Sequence, residues 1–312
     1  MRKQEKGIIN KIFVVSVCVF LTIYALALLF LLGWGLLTSL KSRTDFLFAE
    51  NILGLPSLKY SKDELWRLAN YKLILDNFDF TKKVVFYAGD TLITHESKSN
   101  FFTLILNTFL YAGVGSLIAA MVPAVVAYTC VKYKFRFSKI LYAVVLFVYI
   151  VPVVGNYPSS ITVLRNLRLY DTFGGNYIQK FSFTGMYFFV YWAFYESLSD
   201  TYSEAAEMDG ASQFRILISI ILPLSIKIIS SVWLILFVQQ WNDYQTPMLY
   251  LPTKPTLAYG VYYMTQINHS GKLTQTPTKI AGCMLLALPI LAVFIFLKDK
   301  LMGNVSMGGV KE

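Results

Sequence analysis

From Ile12 to Leu40 the chain carries no charged residue. Hydrocarbon offers no partner to a backbone amide or carbonyl, so such a run must bond within itself, as a helix that crosses the bilayer. About 20 mostly apolar residues suffice for a crossing. Five later runs are of the same kind: Phe101–Val131, Phe137–Tyr157, Phe181–Leu198, Leu224–Trp241 and Ile280–Leu297. The fourth is the shortest and the most aromatic. The first stands where a signal peptide would, yet it is too long for one, and Leu36-Leu37-Thr38-Ser39-Leu40 is a poor cleavage site. Charged residues are 15% of the 312, against about 25% in soluble domains. The expectation is an all-α integral membrane protein with six transmembrane helices.

These runs divide the chain into a cytoplasmic N-terminus 1–11, a first span 12–40, an extracellular segment 41–100 and a core 101–302. The core holds the other five spans and a loop at 199–223, and a cytoplasmic tail 303–312 follows. Orientation comes from the basic residues, which accumulate on the cytoplasmic side. Arg2, Lys3, Lys6 and Lys11 precede the first span; Lys132, Lys134, Arg136 and Lys139 crowd one short link; Lys298, Lys300 and Lys311 follow the last span. All fall on one face, so both termini are expected in the cytoplasm. The net charge of +10 is thereby read as topology and contact with lipid headgroups, not as a nucleic-acid patch. Cys18, Cys130 and Cys283 lie in or beside apolar runs without close spacing, so they indicate neither a disulfide framework nor a metal site.

The loop between the fourth and fifth runs breaks the charge pattern. From Glu196 to Asp209 it has five carboxylates and no basic residue, which suits a protein partner better than lipid headgroups. Thr201-Tyr202-Ser203-Glu204 has capping-box spacing, and Glu204, Glu207 and Asp209 favour a short helix there through its dipole. Ala205, Ala206 and Ala211 keep its surface shallow. Gly210 marks a turn or a close contact at the helix end. Pro223 is expected to break the chain before the fifth span.

Glu204-Ala205-Ala206, Gly210, Ile220, Leu222 and Pro223 together resemble the cytoplasmic loop by which permease subunits of ATP-binding-cassette (ABC) importers engage their ATPase. Asp209-Gly210-Ala211, Leu222-Pro223-Leu224-Ser225 and Trp241-Asn242-Asp243-Tyr244 with Pro247 are similar to sugar-importing members, specifically the second permease of the maltose and oligosaccharide branch. Fainter likenesses run through Asn70-Tyr71, Asn107-Thr108, Ala127-Tyr128, Val151-Pro152 and the Gly308-Gly309-Val310-Lys311 tail. The chain departs from the pattern at Ile226-Lys227-Ile228, where a proline is usual, and at an insertion from about Phe78 to Ser99. The resemblance implies a type I importer permease fold with a coupling helix, and it assigns coupling to Glu204, Ala205, Ala206, Asp209, Gly210, Ala211, Ile220, Leu222 and Pro223. It also implies a second homologous permease, two ATP-binding subunits that hold ATP and magnesium, an extracellular solute-binding protein and a sugar as cargo. No cofactor is expected on this chain.

Sugars are held by aromatic faces and a few orienting polar groups, and polar residues in a span face the bundle interior or a wet path. Gln239, Gln240, Trp241, Asn242 and Asp243 form the best cluster, with Tyr187, Tyr191, Trp192 and Tyr195 as stacking surfaces and Asn156 and Tyr157 at the end of the third span. The same aromatics also fit an interfacial belt or simple packing. The loop from about Leu251 to Thr278 is either a plain connector or, by the resemblance, a segment that reaches the binding protein. His95 and His269 read as surface residues, and Arg165 and Arg168 either suit an anionic sugar or anchor the interface.

Nothing in the chain spells catalysis: it has no Gly-Lys-Ser or Gly-Lys-Thr phosphate loop and no Gly-x-Ser-x-Gly. A secondary transporter would be expected to carry buried carboxylates or broken inverted repeats, whereas Asp243 is nearly alone among the spans. A permease for peptides or an anionic oligosaccharide is the other alternative.

Overall fold

The computed structural model describes residues 2–48, 51–57, 68–133, 136–151, 155–267 and 272–302. Lys134, Pro152, His269 and the Gly308–Lys311 tail lie outside the described residues. The chain forms two units, one of Met1–Phe78 with Met264–Ala287 and one of Asp79–Tyr263 with Leu288–Glu312.

In the first unit, α1 (Arg2–Ser39) is apolar on every side, and from Ile12 to Leu31 its large side chains are exposed. That is the surface of a span meeting lipid or another span. Its end is tied down by polar side chains. Asn70, on α2 (Ala69–Asn77), donates to the carbonyls of Ser39 and Lys41, both at 2.8 Å, and accepts from Thr278 Oγ1 at 2.9 Å. Tyr71 adds a hydroxyl contact to Ser39 at 2.7 Å. The Asn70-Tyr71 pair is thus a staple that satisfies carbonyls where a helix ends.

The second unit opens with the segment read from the sequence as an insertion. It is an antiparallel hairpin, β1 (Phe80–Ala88) with β2 (Thr91–Ser99), in register Phe80↔Ser99 and Ala88↔Thr91. Gly89, at φ +60°, starts the two-residue turn. Alternation explains its seat. Phe86 and Ala88 point inward and pack with Leu164, Tyr170 and Tyr250, while Val85 and Tyr87 face out. His95, expected at the surface, instead pairs through Nδ1 with the buried carboxylate of Asp171 at 2.8 Å. Arg165 stacks on the Tyr170 ring at 4.9 Å and the Phe86 ring at 5.8 Å, and Arg168 reaches Thr91. Both arginines hold the hairpin.

Two helices form the frame of this unit: α3 (Phe101–Lys132), capped by the Asn100 carboxamide, and a later helix Gln213–Trp241. Between them lie α4 (Arg136–Ile150), α5 (Tyr157–Asn166), α6 (Phe173–Lys180), α7 (Met186–Ser197) and α8 (Thr201–Met208), so that Gln213–Trp241 is α9. Then follow α10 (Gln245–Tyr250), α11 (Leu257–Tyr262) and α12 (Thr276–Met302). The core lies where α3 meets α7 and α9. Ala120, Ala124 and Ala127 line one face of α3 and let Phe188, Tyr191 and Tyr195 of α7 and Ile229 and Val232 of α9 come close.

Of the six expected spans, α1, α3, α9 and α12 are long and apolar enough to cross a membrane among the described residues. The third run gives α4, 15 residues ending at Ile150. The fourth gives α7, only 12 residues, opened by Gly185 without a side-chain cap.

The α5–α6 connection contains a close approach that only glycine permits. A Cβ on Gly175 would overlap the Leu169 carbonyl, whereas one on neighbouring Gly174 would meet only Thr172 Oγ1 at 3.9 Å. Gly175→Ala should cost about 1–3 kcal/mol through this overpacking, and Gly174→Ala should be near neutral. Melting curves of the two variants in detergent test this, and equal melting would mean that the turn yields freely.

Candidate functional site

The signature loop is built around α8. The expected capping box does not form: Asp200 occupies the N-cap position without a side-chain bond to the helix amides, and Thr201 turns its hydroxyl to Ser199 at 2.8 Å. Lys132, at the end of α3, binds both the Asp200 carboxylate and the Leu198 carbonyl. At the other end the chain turns through Gly210 at φ +77°. The Gly210 amide bonds Glu207 O at 2.9 Å and the Ala211 amide bonds Ala206 O at 3.0 Å, the two bonds of a Schellman stop. A Cβ on Gly210 would meet nothing within 4 Å, so the glycine serves backbone conformation rather than close contact.

One side of α8 is held and the other is free. Ala206 is buried in the α3–α7–α9 core, while Glu204, Ala205, Glu207 and Asp209 are exposed. Glu207 accepts from the Gln213 amide at 2.7 Å, and Gln213 accepts from Tyr133 at 2.8 Å. The outer face also carries Tyr202, Met208 and Phe214, with Met208 89% exposed. Sequence reasoning missed these apolar contacts; their signal is large apolar residues beside the glycine stop.

Pro223 does not break the chain. Ser212 caps α9, which runs unbroken from Gln213 to Trp241. Residues Leu217–Ile221 widen to a π turn just before the proline, so its missing amide and its ring fall where the ladder already changes register. Ser225 takes the Ile221 carbonyl at 2.6 Å. Ile220 and Leu222 are half-buried against the core, and Pro223 is exposed.

At the far end of α9 is a cavity of about 410 Å³, walled by α3, the end of α6, the 182–185 segment, the start of α7 and the end of α9. α3 contributes Ala119 and Pro123 to its wall, and earlier in the same helix Phe109–Val114 form a π turn. Such a turn releases carbonyls from the helical ladder, and other elements meet them. Tyr177 donates to Leu110 O at 3.0 Å and Trp233 to Gly113 O at 3.4 Å. Gln240, turned so that both amide atoms are satisfied, donates to Tyr111 O at 3.3 Å and accepts from the Ser116 amide at 3.2 Å. Gly115 leaves the room, since a Cβ there would stand 2.6 Å from the Gln240 amide.

Asp243 lines the cavity with its charge engaged. Oδ2 accepts from the Tyr111 hydroxyl at 2.7 Å and Oδ1 from the Thr246 amide at 3.0 Å. Lys180, the last residue of α6 and outside the apolar runs, also lines it, 5.5 Å from the centre of the Tyr111 ring. Burial pushes its ammonium below the usual lysine range, and Asp243 pulls the other way. Lys180 escaped the sequence reading. The available signal was its isolation, as the only basic residue from 169 to 214 and at the edge of an apolar run.

The sequence-derived cluster is divided by the helical period. Gln239, Gln240, Asp243 and Tyr187 line the cavity. Trp241 is buried edge-on against Phe109, and Asn242 is exposed, its side chain folded onto Val238 O at 2.9 Å. Tyr191 is fully buried in the core, Trp192 packs on Tyr142 at 4.8 Å, and Asn156 is exposed at the start of α5.

Residues 112–306 match the family described as "Binding-protein-dependent transport system inner membrane component". The chain is 25% identical over 224 residues to a putative ABC transporter permease protein ORF2 of Caldicellulosiruptor sp., covering 69% of this chain and 78% of that protein. It is 26% identical over 197 residues to the sn-glycerol-3-phosphate transport system permease protein UgpE of Shigella flexneri, covering 62% and 69%. Among solved structures it is similar to a bacterial ABC transporter involved in import of the acidic polysaccharide alginate. That likeness has a TM-score of 0.68 at 21% identity and covers 93% of this chain and 96% of the other. A family match over more than half the chain, on a helical fold of the same architecture, settles the class: this chain belongs to the inner membrane components of binding-protein-dependent ABC import systems.

Proposed function

We propose that this permease forms a sugar path together with a second homologous permease, driven by two cytoplasmic ATP-binding subunits and served by an extracellular solute-binding protein. ATP and magnesium belong to the partner subunits. Both termini lie in the cytoplasm, as the basic residues beside the spans require, and the third and fourth runs complete six crossings.

The observation that carries the reading is the construction of α8. Its outer face is open to a partner, Ala206 on its inner face is buried in the core, and its N-terminal end is fastened to α3 through Lys132. It leads through one rigid turn into α9, whose other end lines the cavity. Closure of the ATPases moves α8, and α8 moves both spans. The motion shifts the equilibrium between inward-open and outward-open forms only because the ATPases favour one of them. Carbohydrate as cargo is supported by the sugar-permease motifs around Leu222–Ser225 and Trp241–Tyr244, and by relatives named for glycerol phosphate and alginate import.

A tagged chain isolated from native membranes should bring a second permease and a nucleotide-binding subunit with it, and a working homomer without them would overturn the reading. Gly210→Trp should keep the chain in the membrane but cut sugar uptake to background, because it strains the left-handed turn and fills the docking face. Gly210→Asn, which tolerates that conformation, should keep at least about a third of uptake, since a well-tolerated left-handed site costs well under 1 kcal/mol. Undiminished uptake by the tryptophan variant would remove α8 from the coupling path.

A further inference from the structure

Shortly after α1 ends, residues 51–57 hold three large apolar side chains in the open. Ile52 is 52% exposed, Leu53 71% and Leu55 73%. The backbone beneath them is nonetheless fixed by side chains of the same unit. Lys41, itself buried, donates through Nζ to the carbonyls of Asn51 at 2.7 Å and Ile52 at 3.0 Å. Trp34 Nε1 also donates to Ile52 O, at 3.0 Å. The Asn51 amide bridges Asp45 Oδ1 at 2.9 Å and Leu55 O at 2.8 Å, and Asp45 Oδ2 accepts from the Ser57 amide at 2.8 Å. Side chains thus satisfy backbone groups that water would otherwise meet, as a loop entering an apolar medium requires.

The length of α1 gives the depth of this loop. Its span-forming part, Lys11–Ser39, has 29 residues, roughly 43 Å at about 1.5 Å per residue. Hydrocarbon is about 30 Å thick, and about 40–45 Å with the headgroup layers, so the ends of the helix reach those layers. Trp34 stands within the last two turns, at the level where tryptophan concentrates. Residues three and four earlier share its face, and these are Leu31 and Phe30, 58% and 63% exposed. The loop therefore sits against the face of α1 that continues into the exposed apolar surface of the span.

We propose that Ile52, Leu53 and Leu55 form a membrane-contact loop whose tip lies in the lipid interface beside the end of α1. Exposed apolar patches mark protein or membrane contacts, and two observations select lipid. The patch is continuous with the apolar face of a membrane span. Asn51–Ser57 also carries no charged residue, whereas a protein-docking patch has a polar rim. The inference is independent of the cargo and of the partner subunits proposed above.

The test uses the importer assembled around this chain in phosphatidylcholine vesicles. Cys18→Ala, Cys130→Ala and Cys283→Ala, with the cysteines of the other subunits also replaced, leave one site for an environment-sensitive nitrobenzoxadiazole label. That site is Leu53→Cys, Leu55→Cys or, for comparison, Asp90→Cys at the exposed turn of the hairpin. An interfacial segment reaches roughly 5–10 Å into the headgroup boundary, so lipid spin-labelled near the headgroup should quench positions 53 and 55 about threefold or more above position 90. Iodide on both sides of the membrane should show the reverse order. Equal iodide quenching at all three positions would overturn the inference. Shielding of 53 and 55 from both quenchers would mean that protein covers the loop, and would overturn it too. Shielding that appears only when the binding protein is added would assign the surface to that protein instead.

Discussion

Backbone groups in an apolar medium must find partners inside the protein, and the second unit is organised around the two places where α3 and α9 leave the regular ladder. At Phe109–Val114 the freed carbonyls are met by Tyr177 of α6, Gln240 and Trp233 of α9, so the defect binds the helices that wall the cavity. At Leu217–Ile221 the irregular turn absorbs Pro223, and Ser225 takes up the Ile221 carbonyl.

The second irregular turn keeps α9 in one piece, and that continuity has a mechanical consequence. The helix has 29 residues, roughly 43 Å at about 1.5 Å per residue. The signature loop sits at one end and the cavity at the other. Lys132 ties the same loop to the end of α3, which lines the cavity with Ala119 and Pro123. The loop and the cavity are therefore joined by two continuous helices, α3 and α9.

Much of this was legible in the sequence. Gly210 reads correctly because a left-handed stop has few solutions, and glycine is the commonest. The insertion near residues 78–99 is visible as a departure from a family pattern, but its hairpin form rests on pairing across two strands. Pro223 misleads, because the expectation of a break assumes an α-helical ladder, which a π turn upstream replaces. The capping box at Thr201 misleads for a different reason: Ser199 competes for the threonine hydroxyl, and spacing alone does not reveal competitors. The run Gln239–Asp243 reads as one wet cluster, yet a helix turns about 100° per residue and sends Trp241 into the core.

Hydropathy by itself determined a helical membrane chain and the place of the signature loop between its apolar runs, because the bilayer acts on each segment separately. The cavity and its lysine were decided only by tertiary structure. Lys180, Tyr111 and Asp243 come from α6, α3 and the end of α9, and Gln179 is left without a partner only by the packing around it. A residue's charge is written in the sequence; whether that charge is answered depends on which helices surround it.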